Sequence, residues 1–235
     1  MMRIHPVVGW TRERVLKGDL FSVVECGRFD GQLDPCVLRD IRYARWWLRP
    51  VAWVLANNEA RVLRRLVGIP NVPQLVRWRG GALIRTWIHG RPLVEGAPPD
   101  TRFFRTGIHL LAKLHRRGVV HNDLAKQPNW LVTTTGEAAL VDFQVATTHR
   151  RRSAIFRWLA REDIRHMLKH KRTYFPDRLT EREDRIESTR SLPHRLNLKL
   201  WKPIYHLITR RILGWRDREG AQDRNYLRES QQPPR

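Results

Sequence analysis

His121-Asn122-Asp123-Leu124, Asn129 and Val141-Asp142-Phe143 form the stretch that decides how this chain reads. Between Asn129 and Asp142 lie Trp130-Leu131-Val132-Thr133, a turn at Thr134-Thr135-Gly136-Glu137, and the run Ala138 to Val141. Apolar and β-branched residues on both sides of a Gly-containing turn predict two short strands joined as a hairpin. A hairpin here returns Asp142 to the neighbourhood of Asn129.

Working outward, Thr106 to Arg117 places Ile108, Leu111 and Leu114 on one helical face and stops at Gly118. Val119-Val120 then leads as a short strand into His121. Leu83 to Ile88 reads as another strand, and His89-Gly90-Arg91-Pro92-Leu93 as its breaker. Asn58 to Leu66 carries Val62, Leu63 and Leu66 on one face, ends at Gly68 and Pro70, and holds Glu59 near its start. A charge there also suits the helix dipole. Cys36 to Ile41, after a turn at Asp30-Gly31, reads as a strand bearing Arg39. Lys17 to Glu25 reads as a turn at Gly18 opening into a strand.

These residues, in this order, resemble the catalytic centre of the eukaryotic-like kinase fold, in the compact form of RIO-type and bacterial lipopolysaccharide (Kdo/heptose) kinases. The resemblance covers about residues 15 to 170. It implies an α+β, two-lobed fold. A small antiparallel-sheet N-lobe would span 1–88, a mostly helical catalytic C-lobe 89–180, and a basic extension with an amphipathic helix 181–235. It also implies ATP and Mg²⁺ as cofactors. By this likeness Asp123 is the catalytic base position beside His121, and Asn129 and Asp142 are the metal ligands. Arg39 stands where the family has a phosphate-binding Lys, with Arg42 as the next candidate and Glu59 as the partner. Trp87 and Ile88 fall at the adenine-binding hinge, and Gly18 at the phosphate loop. Besides Arg39 in place of Lys, the sequence departs from the pattern in three further ways: five residues instead of four separate Asp123 from Asn129, the Gly-rich loop is reduced to Gly18, and Gln144 replaces the Gly after Asp-Phe.

The chain has 235 residues and a formal net charge of +22, with ten Trp. Such a charge calls for a polyanionic partner: anionic membrane, lipopolysaccharide or nucleic acid. No apolar run is long enough to span a bilayer, and the N-terminus lacks the apolar core of a secretory signal. The expected location is therefore the cytoplasm, with peripheral attachment to the inner membrane as an extension of that reading. Cys26 and Cys36 flank the predicted hairpin and are expected as free thiols in a reducing compartment.

Residues 149 to 172 are strongly basic, with Ile155, Leu159, Ile164 and Leu168 at helical spacing, and the resemblance implies Asp163 as the buried anchoring acid of a core helix. Residues 176 to 191 read as a polar linker. Leu196 to Trp215 reads as an apolar-basic strip divided by Pro203, its second part, Ile204 to Leu213, suiting either a membrane interface or a packed terminal helix. The implied function is phosphate transfer from ATP to a hydroxyl, on a lipopolysaccharide-type sugar or on Ser/Thr of a protein. A kinase-shaped adaptor without turnover, seated on an anionic membrane or RNA surface, is the alternative.

Overall fold

The computed structural model describes residues 7–189. The predicted Leu196–Trp215 strip and the polar tail from Gln231 lie outside them. The described chain is mixed α+β. Strands β1 (Trp10–Gly18), β2 (Val23–Phe29) and β3 (Cys36–Asp40) run into helix α1 (Arg49–Arg65), followed by β4 (Leu75–Arg79) and β5 (Ala82–Thr86). The five strands form one antiparallel sheet in the order β1-β2-β3-β5-β4. β6 (Gly90–Pro92), helix α2 (Arg102–Arg116) and β7 (Val119–Val120) come next. The hairpin of β8 (Trp130–Thr133) and β9 (Ala138–Leu140) pairs with β6 in a second, three-stranded sheet. β10 (Thr147–Thr148) pairs with β7, and helices α3 (Ala154–Tyr174) and α4 (Glu181–Ser188) complete the described chain.

Side chains alternate across a strand, and the five-stranded sheet uses this to separate two jobs. Cys36, Leu38, Ala82 and Ile84 face one side, where Val7 and Trp10 close an apolar cluster. Val37, Arg39, Leu83 and Arg85 share the other face, because Val37 pairs with Arg85 and Arg39 with Leu83. That second face carries the charged groups described below. Cys26 pairs with Val37, so Cys26 and Cys36 point to opposite faces. Both are buried free thiols, and burial raises the Cys36 pKa, with Asp34 nearby adding to the effect.

α2 buries Phe103, Phe104, Gly107, Leu110, Leu111 and Leu114, a stripe at three- and four-residue spacing. Gly107 admits α3: a Cβ there would lie 1.8 Å from Met167 Cε. At Gly118, φ is +69° and a Cβ would lie 2.3 Å from the His149 carbonyl oxygen, so both conformation and space favour glycine where the helix stops.

α1 begins well before Asn58. Pro50 sits in its first turn, where a missing N–H costs nothing, and Ala52 and Ala56 are the residues it buries there. Residues 176 to 188, read from sequence as a linker, instead form a 3-10 turn at Pro176–Arg178 and the capped helix α4. Thr180 and Glu183 make a reciprocal capping box, and Glu183 also receives Lys171 of α3 at 2.6 Å. Glu181, Glu183, Asp184 and Glu187 make this helix acidic, so it complements α3. Among the described residues, no helix is long and apolar enough to cross a membrane.

Burial lowers the pKa of His166 on α3 to about 4, with the charge of Arg165 acting in the same direction. Burial also lowers His170, partly opposed by its hydrogen bond to the Leu124 carbonyl. Above pH 6.5, His166 is neutral whether the chain is folded or not. As the pH falls from 6.5 towards 4, only the unfolded chain takes up the proton, so stability drops. His166 alone is expected to remove about 2 kcal/mol between pH 7 and pH 5. Urea midpoints measured across that range should fall less steeply for His166→Asn than for the wild type.

Candidate active site

The loop from His121 to Asn129 is held from below by one face of α3. Asp163, only 1% exposed, accepts the backbone N–H of His121 at 2.9 Å and of Asn122 at 3.1 Å, with His115 Nε2 3.2 Å away. His170 Nε2 lies 2.8 Å from the Leu124 carbonyl, and the Tyr174 hydroxyl donates to Leu93 O and Gln127 Oε1. Positions 163, 170 and 174 share one helical face. The loop's conformation is therefore set by side chains aimed at its backbone, so few of its N–H and C=O groups depend on solvent.

The extra residue between Asp123 and Asn129 is absorbed by a 3-10 turn at Gln127–Asn129, started by Pro128. Asn129 stays close to Asp123: its Nδ2 donates to Asp123 O at 2.9 Å and to Asp123 Oδ2 at 3.1 Å. Lys126 Nζ sits 3.0 Å from the same Oδ2. The β8–β9 hairpin forms as expected and closes on this loop, where the Val141 N–H donates to the Asn129 carbonyl at 3.0 Å. Asp142 follows directly, with φ of +65°, a left-handed conformation that Asp tolerates better than most residues.

His121 is fully buried. Its Nε2 lies 3.0 Å from the Val141 carbonyl and its ring packs 4.7 Å from that of Phe143. Its contacts are positional: it meets the Val141 carbonyl on one side of Asp142 and the Phe143 ring on the other, while its Nδ1 is buried without a hydrogen-bond partner among the described residues.

Across from this hairpin, Arg39 of β3 joins the two halves of the site. Its Nε is 3.4 Å from Glu59 Oε2 and its Nη2 is 3.4 Å from Asp142 Oδ1. Glu59 of α1 is fully buried and takes a second guanidinium, that of Arg85 on β5, through Oε1. Burial lowers the Arg85 pKa to about 10, with the neighbouring Arg39 charge pushing the same way and Asp142 opposing. Arg85 still remains cationic at neutral pH. For Asp142, burial acts to raise the pKa, but Arg39, Arg85, the Gln144 amide and His121 outweigh it, so the net shift is downward. Asp142 is a carboxylate at neutral pH. Arg42, the second phosphate candidate, is instead drawn to Asp40, with Nε 2.8 Å from Asp40 Oδ1.

Gly18 ends β1 at the turn whose Asp19 side chain accepts the N–H groups of Phe21 and Ser22, both at 2.8 Å. Its φ is not positive and nothing lies within 4 Å of a built Cβ, so the turn places no steric demand for glycine there. Ser22 Oγ is buried without a hydrogen-bond partner among the described residues. Trp87 and Ile88 link β5 to β6. Trp87 N–H is bonded to Pro35 O at 3.0 Å, and Arg14 stacks 5.5 Å over the Trp87 ring.

The structure thus pairs Asp123 with Asn129 and Asp142 with Arg39 and Glu59, and the Val141–Asn129 backbone bond joins the two groups into one set. It leaves Gly18, Trp87 and Ile88 on the sheet side without a hydrogen bond or ion pair to that set. Two members of the site went unread in the sequence, Arg85 and Lys126, and Gln144, noted there only as a replacement for glycine, also belongs to it, its Nε2 donating to Asp142 Oδ1 at 2.8 Å. Arg85 left one signal, a charged residue amid the otherwise apolar run Ala82-Leu83-Ile84.

Oxygen lone pairs remain for chemistry. Hydrogen bonds and ion pairs among the described residues reach the Asp142 side chain only at Oδ1, the Asp123 side chain only at Oδ2, and the Asn129 side chain only through Nδ2. Asp142 Oδ2 and Asn129 Oδ1 are hard oxygen donors of the kind Mg²⁺ takes, which needs few protein ligands when phosphate oxygens and water supply the rest. Asp123 Oδ1 is left to accept a proton. No protein-family model matches the chain, and no curated protein matches it with statistical significance.

Proposed function

We propose that this chain is an ATP- and Mg²⁺-dependent kinase that phosphorylates a hydroxyl group. The observation that carries the reading is the Val141–Asn129 backbone bond, which sets the Asp123–Asn129 pair beside the segment bearing Asp142, each of the three with an unengaged side-chain oxygen, while Arg39 ties Asp142 to Glu59. A five-stranded sheet with α1 beside it, followed by a helical part bearing the β8–β9 hairpin, supports the two-lobed kinase-like fold of RIO-type and lipopolysaccharide kinases.

On this reading Asp123 orients the acceptor hydroxyl and takes its proton as the oxygen attacks the γ-phosphorus, the bond to the β,γ-bridging oxygen breaks and ADP leaves. Asp142 and Asn129 hold Mg²⁺, which when bound neutralises charge on the phosphate oxygens. Arg39, fixed by Glu59 and Asp142, presents a planar fork suited to phosphate. His121 and Asp163 act one step back, through the backbone they hold. The acceptor is a sugar of lipopolysaccharide type or a protein Ser/Thr, since both offer the same nucleophile.

A second reading, a kinase-shaped adaptor that binds without turnover, is favoured by one feature: Arg39 and Gln144 both occupy Asp142 Oδ1. Transfer of labelled γ-phosphate separates the two. The purified chain, with ATP and Mg²⁺, would be incubated alone, with lipopolysaccharide extract and with total soluble protein. Label that enters one fraction and is lost in Asp123→Ala is the expected result. ATP binding with no transfer to any fraction would overturn the kinase reading in favour of the adaptor.

A further inference from the structure

The outward face of α1, with the turn that leads into it, exposes an unusual amount of large apolar surface. Trp46 is 79% exposed, Val54 59%, Tyr43 54%, Trp53 51%, Val51 48% and Trp47 37%. Scattered surface hydrophobics need no explanation, but six within twelve consecutive positions form a patch of the kind that marks an interface. The face is also free of negative charge. From Ile41 to Asn58 there is no acidic residue, while Arg45 and Arg49 interleave with the aromatics and Arg42 is held by Asp40. Glu59, the first acid after them, is buried on the opposite side of the helix against Arg39 and Arg85. Trp53 and Val54 also border a surface hollow of about 340 Å³ that extends to Gln144.

We infer that this face seats the protein on an anionic lipid bilayer. Trp and Tyr settle at the boundary between headgroup and acyl chain, with an apolar ring body and a polar edge. Val51 and Val54 reach the hydrocarbon, and the Arg side chains lie among the lipid phosphates. Charge selects this occupant. A second copy of the chain carries the same +22, and the chain's own residues 190–235 are basic as well, so both would bring like charge to a basic face. Nucleic acid would satisfy the Arg residues and stack on the Trp rings, but Val51 and Val54 gain little from it. The contact is peripheral, and it would hold the same helix that carries Glu59 and, through Asn58, the segment after Asp142. The inference concerns a binding surface and stands whether or not the cleft transfers phosphate.

The test is flotation of the full chain with phosphatidylglycerol/phosphatidylcholine vesicles and with pure phosphatidylcholine vesicles. The triple variant Trp46→Ser, Trp47→Ser, Trp53→Ser would be run beside the wild type. The expected result is flotation with the anionic vesicles only, weakened about tenfold or more in the triple variant at unchanged thermal stability. A Val54→Cys variant labelled with an environment-sensitive dye gives a second readout, because both native thiols are buried. Its emission should shift to the blue on anionic vesicles. Equal flotation of wild type and triple variant, with no dye response, would overturn the inference. So would wild-type affinity for poly-uridylate RNA that the triple variant loses while vesicle binding persists, or a dimer in sedimentation that the triple variant abolishes.

Discussion

An Asp142→Asn variant is expected to lose phosphotransfer about a thousandfold or more while keeping its fold. The substitution preserves the shape of the side chain, so the amide can still receive Arg39 and Gln144 at the oxygen they now use. What it removes is the negative charge that a divalent cation needs, at a position where Arg39 and Arg85 already keep the carboxylate ionised. Single-turnover phosphate transfer and thermal unfolding should be measured together. A normal melting temperature with lost transfer assigns the effect to chemistry. Full transfer in the variant would remove Asp142 from the proposed mechanism.

Glu59→Gln is expected to produce the largest loss of stability. Glu59 is fully buried between Arg39 and Arg85, whose side chains are 8% and 9% exposed. Neutralising it leaves two buried guanidinium groups facing each other, with Asp142 as the nearest remaining anion. Breaking a buried ion pair on one side typically costs about 3–5 kcal/mol, a large share of the roughly 5–15 kcal/mol that holds a domain folded. The melting temperature should fall by about 10 °C. Adding Arg85→Met should restore part of the loss, because it removes one of the stranded charges. A Glu59→Gln protein as stable as the wild type would show that the pair is solvated enough to be dispensable.

Much of this site could be read from the order of residues, because its parts are local. The β8–β9 hairpin follows from short-range pattern and turn chemistry, and its closure brings Asn129 beside the residue preceding Asp142. Asp163 could be proposed as an anchor because the kinase resemblance implies a buried acid on the core helix that follows the segment after Asp142. The contacts that escaped notice arise from tertiary packing. Arg85 meets Glu59 only because β5 lies next to β3 in a sheet order that skips β4. The first turns of α1 bury only alanines while exposing Trp53 and Val54, so their apolar pattern points the wrong way. α4 looks like a linker because it is polar all round, and its stability comes from a capping box and from Lys171 and Arg172 on another helix. Arg42 shows the reverse error: a plausible phosphate ligand by position, claimed by the adjacent Asp40.

The segment after Asp142 is pinned from both sides. His121 grips Val141 and packs on Phe143, while Asn58 of α1 donates to the carbonyls of Gln144 at 2.9 Å and Ala146 at 2.8 Å. Gln144, lacking glycine's freedom, removes a pivot as well. A segment held in this way is kept in one arrangement by contacts from both sides, and on the proposed kinase reading the cleft would need no switch to become ready. Control over such a protein would then fall to supply: where the molecule is stationed, and whether an acceptor is brought within reach.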